Sequence, residues 1–486
     1  MNILCCLPNI SNFKTRLLLI VYNISSFDFG TLEKFFNEFP EEINRVVNED
    51  GETYLMKICA NRLEVKYAMV EFLLKHGSDL NLTDKYGSTS LSKAVLNYNV
   101  CGIEVIKLLL DHGANPNRQD DEGNTALHLA CEFLDVISTK VSALLFKNGA
   151  DPNIQNNNGE TALILTCCSN RGGKIKLSEL LLKNGANPNI RNNNDKTALM
   201  LSCCSDRGVK LKLSELLLKN GADPNIQNKY GEHVLLSLLR KYNIKKTGIV
   251  ELLLSYNIDT NLKDRNGCTA LMLACLDSNF TIVNKLLQNG ANPNLVNKNG
   301  MNTLLYMTYL EQNVDVEIVR LLLFCGVNVN LQCPNDGNTS LMYLCGNGYT
   351  TNNYEAIELL LKYGANVNLQ NKKGDTALTR TLKYYNCDIK SEIVILLLKN
   401  NANIYLTNKK GENAMRIAMR YGVSEGTKLI GKLIKKDKIE QLKEENMTLK
   451  NEIRILEDSI KLHPDNEYIL ELKKCFIEKM NLTKNQ

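Results

Sequence analysis

The chain has 486 residues, of which 44% are hydrophobic and 23% are charged. This composition is ordinary for a globular protein and excludes a wholly disordered chain, while the length exceeds what one hydrophobic core supports and requires several domains or a repeat array. Sixteen cysteines are too few for a disulfide scaffold, five histidines leave few candidates for a catalytic or metal centre, and a net charge of +5 is too weak to indicate nucleic-acid binding by itself.

The first 50 residues carry only a weak targeting signal. Their longest apolar run, Leu17–Tyr22, is far shorter than the roughly 20 residues of a membrane-spanning helix. We interpret this run as part of a capping helix and Phe29–Phe39 as an incomplete first repeat. Residues 1–50 are therefore predicted to be an N-terminal capping segment, and the protein is expected to be soluble and intracellular, with no membrane partner.

From residue 51 onward a short motif recurs, Gly-x-Thr-Ala-Leu with variations. Six consecutive intervals between copies are 36 residues long, the next is 33, and the last three are 37. The copies begin at Gly51, Gly87, Gly123, Gly159, Asp195, Gly231, Gly267, Gly300, Gly337, Gly374 and Gly411. A motif that recurs at a nearly fixed interval of this size predicts a stack of structural repeats.

A second motif follows the first in constant register and reads LLLKNGANPN in residues 180–189. The Thr of the first motif is a good N-cap for a short helix, and the Leu triplet marks the buried face of a second helix. Gly185 is placed to end that second helix, and Pro188 to start an extended segment that leads through a polar turn to the next repeat. Each repeat is thus predicted to contain two short helices and a hairpin-like loop.

Together the two motifs resemble the ankyrin repeat over roughly residues 28–426. The resemblance implies an all-α repeat fold, an ankyrin-type solenoid of helix–turn–helix units with hairpin loops, and we assign residues 51–426 to an array of about eleven units. Ala replaces the Pro that the family usually has after Thr, and most units exceed the family's period of 33 by three or four residues. We place the extra residues between the two helices, as in Ser169–Lys176 and Ser205–Lys212.

Cysteine recurs at one position of the repeat, six residues after the Thr of the first motif. Free cysteine behaves as a small buried apolar side chain, and copies one repeat apart are beyond disulfide reach, so we predict that these cysteines pack in the core. His128 lies where the resemblance implies a structural hydrogen bond. The cysteines concerned are Cys59, Cys131, Cys167, Cys203, Cys275 and Cys345.

After residue 426 the chain becomes rich in Lys and Glu and follows a heptad pattern, which favours a parallel coiled-coil dimer. A second amphipathic helix follows, with Leu472, Phe476 and Met480 on one face. Residues 427–486 are predicted to form a charged coiled coil and this short helix. Two alternatives remain: the second helix folds back over the same apolar stripe as an intramolecular hairpin, or the stripe binds a helix of another partner. The residues assigned to oligomerisation are Ile439, Leu442, Asn446, Leu449, Ile453 and Leu456.

The resemblance implies that partners bind to the hairpin tips, to the first helices and to the concave face of the solenoid. The tips from residue 229 onward are mostly basic and could line one positive rim, although a solvated face without a target is the alternative. Because no aromatic stacking positions accompany these charges, an acidic protein segment is expected rather than nucleic acid. The residues assigned to protein binding are Lys229, Tyr230, Arg265, Lys298, Lys373 and Lys410.

The sequence contains no G-x-x-x-x-G-K-[ST], G-x-G-x-x-G, H-E-x-x-H or G-x-S-x-G motif, and we expect neither catalytic residues nor a cofactor or metal. The expected function is a non-catalytic scaffold for protein–protein interactions that dimerises through its tail. The alternative is a substrate adaptor that recruits a target to ubiquitin ligase machinery through residues 427–486; an enzyme or a nucleic-acid binder is a third possibility. The Asn- and Lys-rich repeats with a helical tail look like ankyrin proteins of giant DNA viruses, which implies the cytoplasm of a host cell.

Overall fold

The computed structural model of the chain describes residues 29–60, 66–97, 102–133, 136–168, 174–203, 211–240, 247–311, 313–346, 351–383, 390–421, 424–462 and 467–484. The apolar run Leu17–Tyr22 and most of the two predicted insertions lie outside these residues. The chain divides into two compact units: unit 1 comprises Met1–Leu273 with Gln288–Ala291, and unit 2 comprises Ala274–Leu287 with Asn292–Gln486.

The regular elements of the described residues are helices, and one isolated bridge joins Val46 and Thr53. The first two are α1 (Phe29–Glu38) and a 3₁₀ turn (Pro40–Asn44). The helices of the repeats are α2 (Tyr54–Ala60), α3 (Lys66–Lys75), α4 (Ser90–Leu96), α5 (Ile103–Asp111), α6 (Ala126–Phe133), α7 (Val136–Lys147), α8 (Ala162–Cys168), α9 (Lys174–Lys183), α10 (Ala198–Cys203), α11 (Leu211–Lys219), α12 (Val234–Leu239), α13 (Thr247–Leu254), α14 (Ala270–Leu276), α15 (Phe280–Gln288), α16 (Thr303–Leu310), α17 (Val316–Phe324), α18 (Ser340–Gly346), α19 (Thr351–Lys362), α20 (Ala377–Lys383), α21 (Lys390–Lys399), α22 (Ala414–Arg420) and α23 (Ser424–Leu462). The last helix is α24 (Glu467–Lys484).

From α2 to α23, even numbers mark the first helix of each repeat and odd numbers the second helix, so the prediction of two short helices per repeat is confirmed. The predicted N-caps are also confirmed, since the Thr89 hydroxyl accepts a hydrogen bond of 3.2 Å from the Ser92 amide. Three later repeats use another acceptor at the same position, namely His233, Asn302 and Asn413. The Asn302 side chain accepts from the Leu305 amide at 2.9 Å, and the His233 imidazole accepts from the Leu235 amide at 3.1 Å.

The second helices end as the sequence predicts. Gly185, directly after α9, has a φ of 86°, a conformation that glycine adopts without steric strain. Asn257 and Asn401 occupy the same position after α13 and α21, with φ values of 53° and 62°. Asparagine is among the few other residues that tolerate this region, so the helix end is preserved where glycine is absent.

In unit 1 the first helices pack on one another in chain order, from α2 to α12, and the second helices do the same from α3 to α13. Each unit is therefore layered, and its core lies between the two layers. Leu109, Leu145 and Leu181 of the Leu triplets are fully buried there. The cysteines of the first helices are buried too, and burial raises the pKa of Cys131 to about 12 and of Cys203 to about 11, which confirms the predicted packing role.

Unit 2 repeats this arrangement with first helices α16, α18, α20 and α22, and with second helices α17, α19, α21 and α23. The beginning of α23 is the second helix of the last repeat, and Ile430 is fully buried in it. The helix then continues without interruption to Leu462, where α24 folds back against it. The proposed domain boundary at residue 426 thus lies in the first turn of α23.

Candidate functional site

Asparagine side chains fix the hairpin loops of successive repeats to one another. The Asn153 amide group donates to the Gly185 carbonyl at 3.0 Å, and its carbonyl oxygen accepts from the Asn187 amide at 2.7 Å. Each such residue therefore joins its own loop to the helix end of the next repeat. The same pair of bonds is made by Asn117, Asn189, Asn225, Asn294, Asn330 and Asn368.

A second set of side chains fixes the hairpins themselves. The Gln155 amide group donates both to the Gly159 carbonyl of its own hairpin at 2.6 Å and to the Arg191 carbonyl of the next hairpin at 2.9 Å. Gln119, Gln227, Gln332 and Gln370 make equivalent pairs of bonds. These hydrogen bonds fix the backbone of each hairpin, so the side chains on the tips project from regularly spaced positions.

In unit 1 the structure brings three of the predicted binding residues together. Tyr230 is 50% exposed at a hairpin tip, and Lys229 Nζ and Arg265 Cζ lie 5.3 Å and 6.0 Å from its ring centroid. Lys229 Nζ also donates to Asn194 Oδ1, and the Arg265 amide donates to the Tyr230 carbonyl at 3.0 Å. An aromatic ring thus does accompany the charges at this tip, contrary to the expectation from sequence.

The equivalent pair four hairpins closer to the N-terminal end of the array, Lys85 and Tyr86, has a different electrostatic environment. Lys85 Nζ lies 5.0 Å from the Tyr86 ring centroid and forms an ion pair with the Asp50 carboxylate. The hydrogen bond to Asp50 raises the pKa of Lys85. By contrast, the partner of Lys229 is the neutral Asn194 amide, which does not offset the lysine charge.

In unit 2 the predicted residues Lys298, Lys373 and Lys410 are all exposed on hairpin tips. The last two tips are in direct backbone contact, because the Lys409 amide donates to the Lys373 carbonyl at 3.0 Å. Lys372 is exposed beside Lys373, so these two tips present four lysines. We call Lys372, Lys373, Lys409 and Lys410 the lysine tips.

Ion pairs near the first helices were not found by sequence reasoning. Lys93 Nζ lies 3.0 Å from a Glu52 carboxylate oxygen and 2.7 Å from one of Asp84. Burial opposes ionisation of Glu52, but hydrogen bonds from Lys93 and its other neighbours outweigh this effect and lower its pKa. Equivalent pairs join Arg240 to Glu232 and Asp264, Lys383 to Asp375, and Arg420 to Glu412. For the pairs within one repeat, the sequence signal is an acid directly after the motif glycine and a base eight residues after that acid. In the repeat that begins at Gly51, the base follows the acid by five residues.

His128 has the structural role that was expected. Its Nδ1 lies 3.2 Å from the Thr125 amide, from which it accepts, and its Nε2 lies 3.0 Å from the Glu160 carbonyl of the next repeat, to which it donates. Burial lowers the pKa of His128, which favours the neutral ring that these two bonds require.

In the tail, α24 packs against the apolar stripe of α23. An ion pair of 2.9 Å between Lys473 and Glu457 shows the register, in which the 18 residues of α24 reach back to about residue 446 of α23. Of the residues assigned to oligomerisation, Leu449 is buried, and Leu442, Asn446, Ile453 and Leu456 are half-buried. Ile439 lies beyond the reach of α24 and is 52% exposed. The hairpin alternative accounts for this arrangement.

Within the parts of the chain that the structure describes, no group of three or more His, Cys, Asp or Glu side chains is placed to hold a metal ion. A search of the same residues finds no helix that is both long and apolar enough to cross a membrane.

Comparison with known proteins adds the family. The family described as ankyrin repeats (3 copies) matches residues 23–120, 66–139, 136–228, 208–297, 304–389 and 349–443. Two ankyrin repeat proteins of Acanthamoeba polyphaga mimivirus are similar, one 31% identical over 110 residues and the other 34% identical over 143 residues. These matches cover 22% and 25% of this chain but only 18% and 24% of the relatives. A solved structure of the ankyrin repeat domain of Bcl-3 has 26% identity and a TM-score of 0.41, covering 49% of this chain and 100% of that chain.

Proposed function

The chain belongs to the ankyrin repeat family, and on this premise we propose that it is a non-catalytic scaffold that binds protein partners through its hairpin tips and first helices. Ankyrin repeats are in general protein–protein interaction modules, and a repeat stack offers an extended surface of regularly spaced positions. The observation that carries the proposal is the set of hydrogen bonds that hold successive tips in register, because a pre-ordered surface loses little conformational entropy on binding.

The chemistry of the exposed tips supports an acidic protein segment as the partner. In unit 1 the site consists of Lys229, Tyr230 and Arg265, where two cations flank an exposed ring. In unit 2 it consists of Lys298, Lys373 and Lys410. Complementary charge of this kind steers association and suppresses wrong partners. The similarity to mimivirus proteins supports a location inside a host cell.

The test is affinity capture with the full chain, followed by mass spectrometry and binding assays with each captured protein. The double variant Lys229→Gln/Arg265→Gln should weaken binding of an authentic partner about tenfold or more. Lys85→Gln/Arg118→Gln removes two exposed cations elsewhere in unit 1 and serves as the matched control. Equal loss in both double variants would show a general charge effect and would contradict the proposed site.

The same capture decides the adaptor alternative. A chain that ends at Gln441 keeps the buried Ile430 but lacks the second half of α23 and all of α24. Ubiquitin ligase subunits that are captured by the full chain and lost with this shorter chain would establish the adaptor. Identical capture by both chains would leave the scaffold as the function and exclude recruitment through the deleted residues.

A further inference from the structure

The exposed face of α16 in unit 2 is apolar and includes a position at which three other repeats carry a cation. Tyr306, Tyr309 and Leu310 stand at i, i+3 and i+4 and therefore share one face of the helix. Tyr309 is 46% exposed and Leu310 47% exposed, while Tyr306 is half-buried. We call these three residues the α16 face.

A cluster of buried side chains packs beneath the α16 face. Tyr306 and Leu331 pack against the buried Met301, Leu305, Cys333 and Tyr343. Tyr309 meets Tyr343 edge to face, with ring centroids 5.4 Å apart. The Tyr343 hydroxyl donates to the Asp336 carboxylate at 2.9 Å. The rings are thus fixed in place, and Tyr309 and Leu310 form a narrow apolar strip on a rigid support.

Three other repeats carry a cation at the position of Tyr309. Tyr309 occupies the position of Arg240, Lys383 and Arg420, each of which forms an ion pair with an acid of its own repeat. In the repeat of α16 the residue after the motif glycine is Met301, so both members of the ion pair are replaced by apolar side chains. Met301 is buried, so packing accounts for it, but Tyr309 is 46% exposed, where folding alone does not require the loss of charge.

Cations lie on the repeats that follow in the same unit. The Arg380 guanidinium covers Gly346, the position equivalent to Tyr309 in the next repeat, and its Nε donates to the Met342 carbonyl at 2.9 Å. The lysine tips lie on the hairpins that precede α20 and α22. The nearby acids Asp375 and Glu412 form ion pairs with Lys383 and Arg420 of their own repeats.

We propose that the α16 face and the lysine tips together bind one linear segment of a partner protein, with a large apolar side chain on Tyr309 and Leu310 and two or more carboxylates beside the lysine tips. A narrow strip of one ring and one aliphatic side chain fits an aliphatic or aromatic anchor, whereas a nucleic-acid strand requires open faces for successive bases. This inference rests on the proposed scaffold function and specifies a partner for unit 2.

The experiment uses the full chain as bait for a phage-displayed library of random 12-residue peptides. Enriched peptides are synthesised with a fluorescent label and titrated by anisotropy at two salt concentrations. We expect a shared pattern of one large apolar residue separated by a few positions from Asp or Glu. Tyr309→Ser/Leu310→Ser should weaken these peptides about tenfold or more. Lys372→Gln/Lys373→Gln should weaken them and reduce the salt dependence.

Tyr363→Ser is the matched control, because Tyr363 is a 41% exposed tyrosine of unit 2 that follows a second helix. Leu310→Asp serves as a second variant if the double serine variant loses helicity or melts earlier. Enriched peptides that lack the pattern, or that bind all variants equally, would overturn the inference while leaving the scaffold function intact. Binding of a labelled dT12 oligonucleotide that Tyr309→Ser abolishes would also overturn it. If no peptide is enriched and no protein is captured, the proposed function itself fails.

Discussion

At the scale of single residues, the abundant asparagines act as connectors between repeats. The position of Asn153 requires a donor for a carbonyl and an acceptor for an amide, and Asn supplies them on two separate atoms of one short side chain, whereas a hydroxyl must do both through one atom. The bonds lie at the surface, where each contributes modestly to stability, and their effect comes from the repetition of the same two bonds between successive repeats.

Asn189→Asp tests this role directly. A carboxylate can still accept from the Asp223 amide, but it cannot donate to the Gly221 carbonyl. The variant therefore places a carboxylate oxygen against the carbonyl oxygen of Gly221. We expect the free energy of unfolding at pH 7 to fall by about 0.5–1.5 kcal/mol, because the bond that is lost lies at the surface. Urea denaturation measures the change, and Asn299→Asp, at an exposed hairpin tip, is the control. Equal stability of the two variants would contradict the connector role.

His233 gives the stability of unit 1 a dependence on pH. Burial disfavours the charged ring of His233 and lowers its pKa from the ordinary value of 6.5 to about 4. The imidazole therefore stays neutral and can accept from the first turn of α12. The unfolded chain therefore binds a proton between pH 6.5 and about 4 that the folded chain does not. The contribution of His233 is complete above pH 6.5 and is lost as pH falls toward 4, by roughly 3 kcal/mol at most.

His233→Thr should remove this contribution, since Thr is the cap residue of most other repeats and does not titrate. The quantity to measure is the difference in unfolding free energy between pH 7 and pH 4.5, compared between the parent chain and the variant. We expect the parent to lose more stability than the variant over this interval. A parallel decline of both proteins would show that His233 contributes nothing to the acid sensitivity.

At the scale of elements, the tail shows how one apolar stripe can serve two arrangements. A coiled-coil dimer and an intramolecular hairpin bury the same face of α23, and the structure places α24 on the part of it from about residue 446 onward. The dimer and the hairpin therefore compete for Leu449, Ile453 and Leu456. Self-association of the full chain would require α24 to leave this position or would use the uncovered part near Ile439.

Removing α24 should shift this competition toward association. A chain that ends at Leu462 exposes the stripe from Leu449 onward to solvent, and we expect it to sediment as a dimer or larger species at concentrations where the full chain is monomeric. Lys473→Glu, which breaks only the ion pair to Glu457, is the control and should leave the full-length chain monomeric. If the full chain is already dimeric and the shortened chain is dimeric too, the result would instead support the predicted coiled coil.

Much of the element structure could be predicted from the sequence, because the repeats are local and their caps are single residues. Thr at the N-cap and Gly185 at the helix end each act within one turn, so a motif of five residues suffices to locate them. The contacts of Asn153, by contrast, join residues 32 and 34 positions apart, and the heptad of α23 does not reveal which helix covers it. The α16 face was missed because it is recognised only when the residues at the same position of several repeats are compared.

At the scale of the whole molecule, each described unit is stabilised mainly by contacts between neighbouring repeats. First helices pack on the adjacent first helices and second helices on the adjacent second helices, with the asparagine and glutamine bonds running between the same neighbours. In such a structure a local defect destabilises the adjacent repeats most and distant repeats least. The two compact units should therefore respond separately to damage in their cores.

Leu181→Asp and Leu360→Asp test this separation. Both leucines are fully buried in second helices, in unit 1 and unit 2 respectively, and a carboxylate at either site should cost at least about 3 kcal/mol. Hydrogen exchange with mass spectrometry should show protection lost around α9 in the first variant and around α19 in the second, while amides of the other unit keep their rates. Ile175→Asp, at a 39% exposed position of α9, should change little. Loss of protection spread evenly along the chain would show instead that both units unfold as one cooperative body.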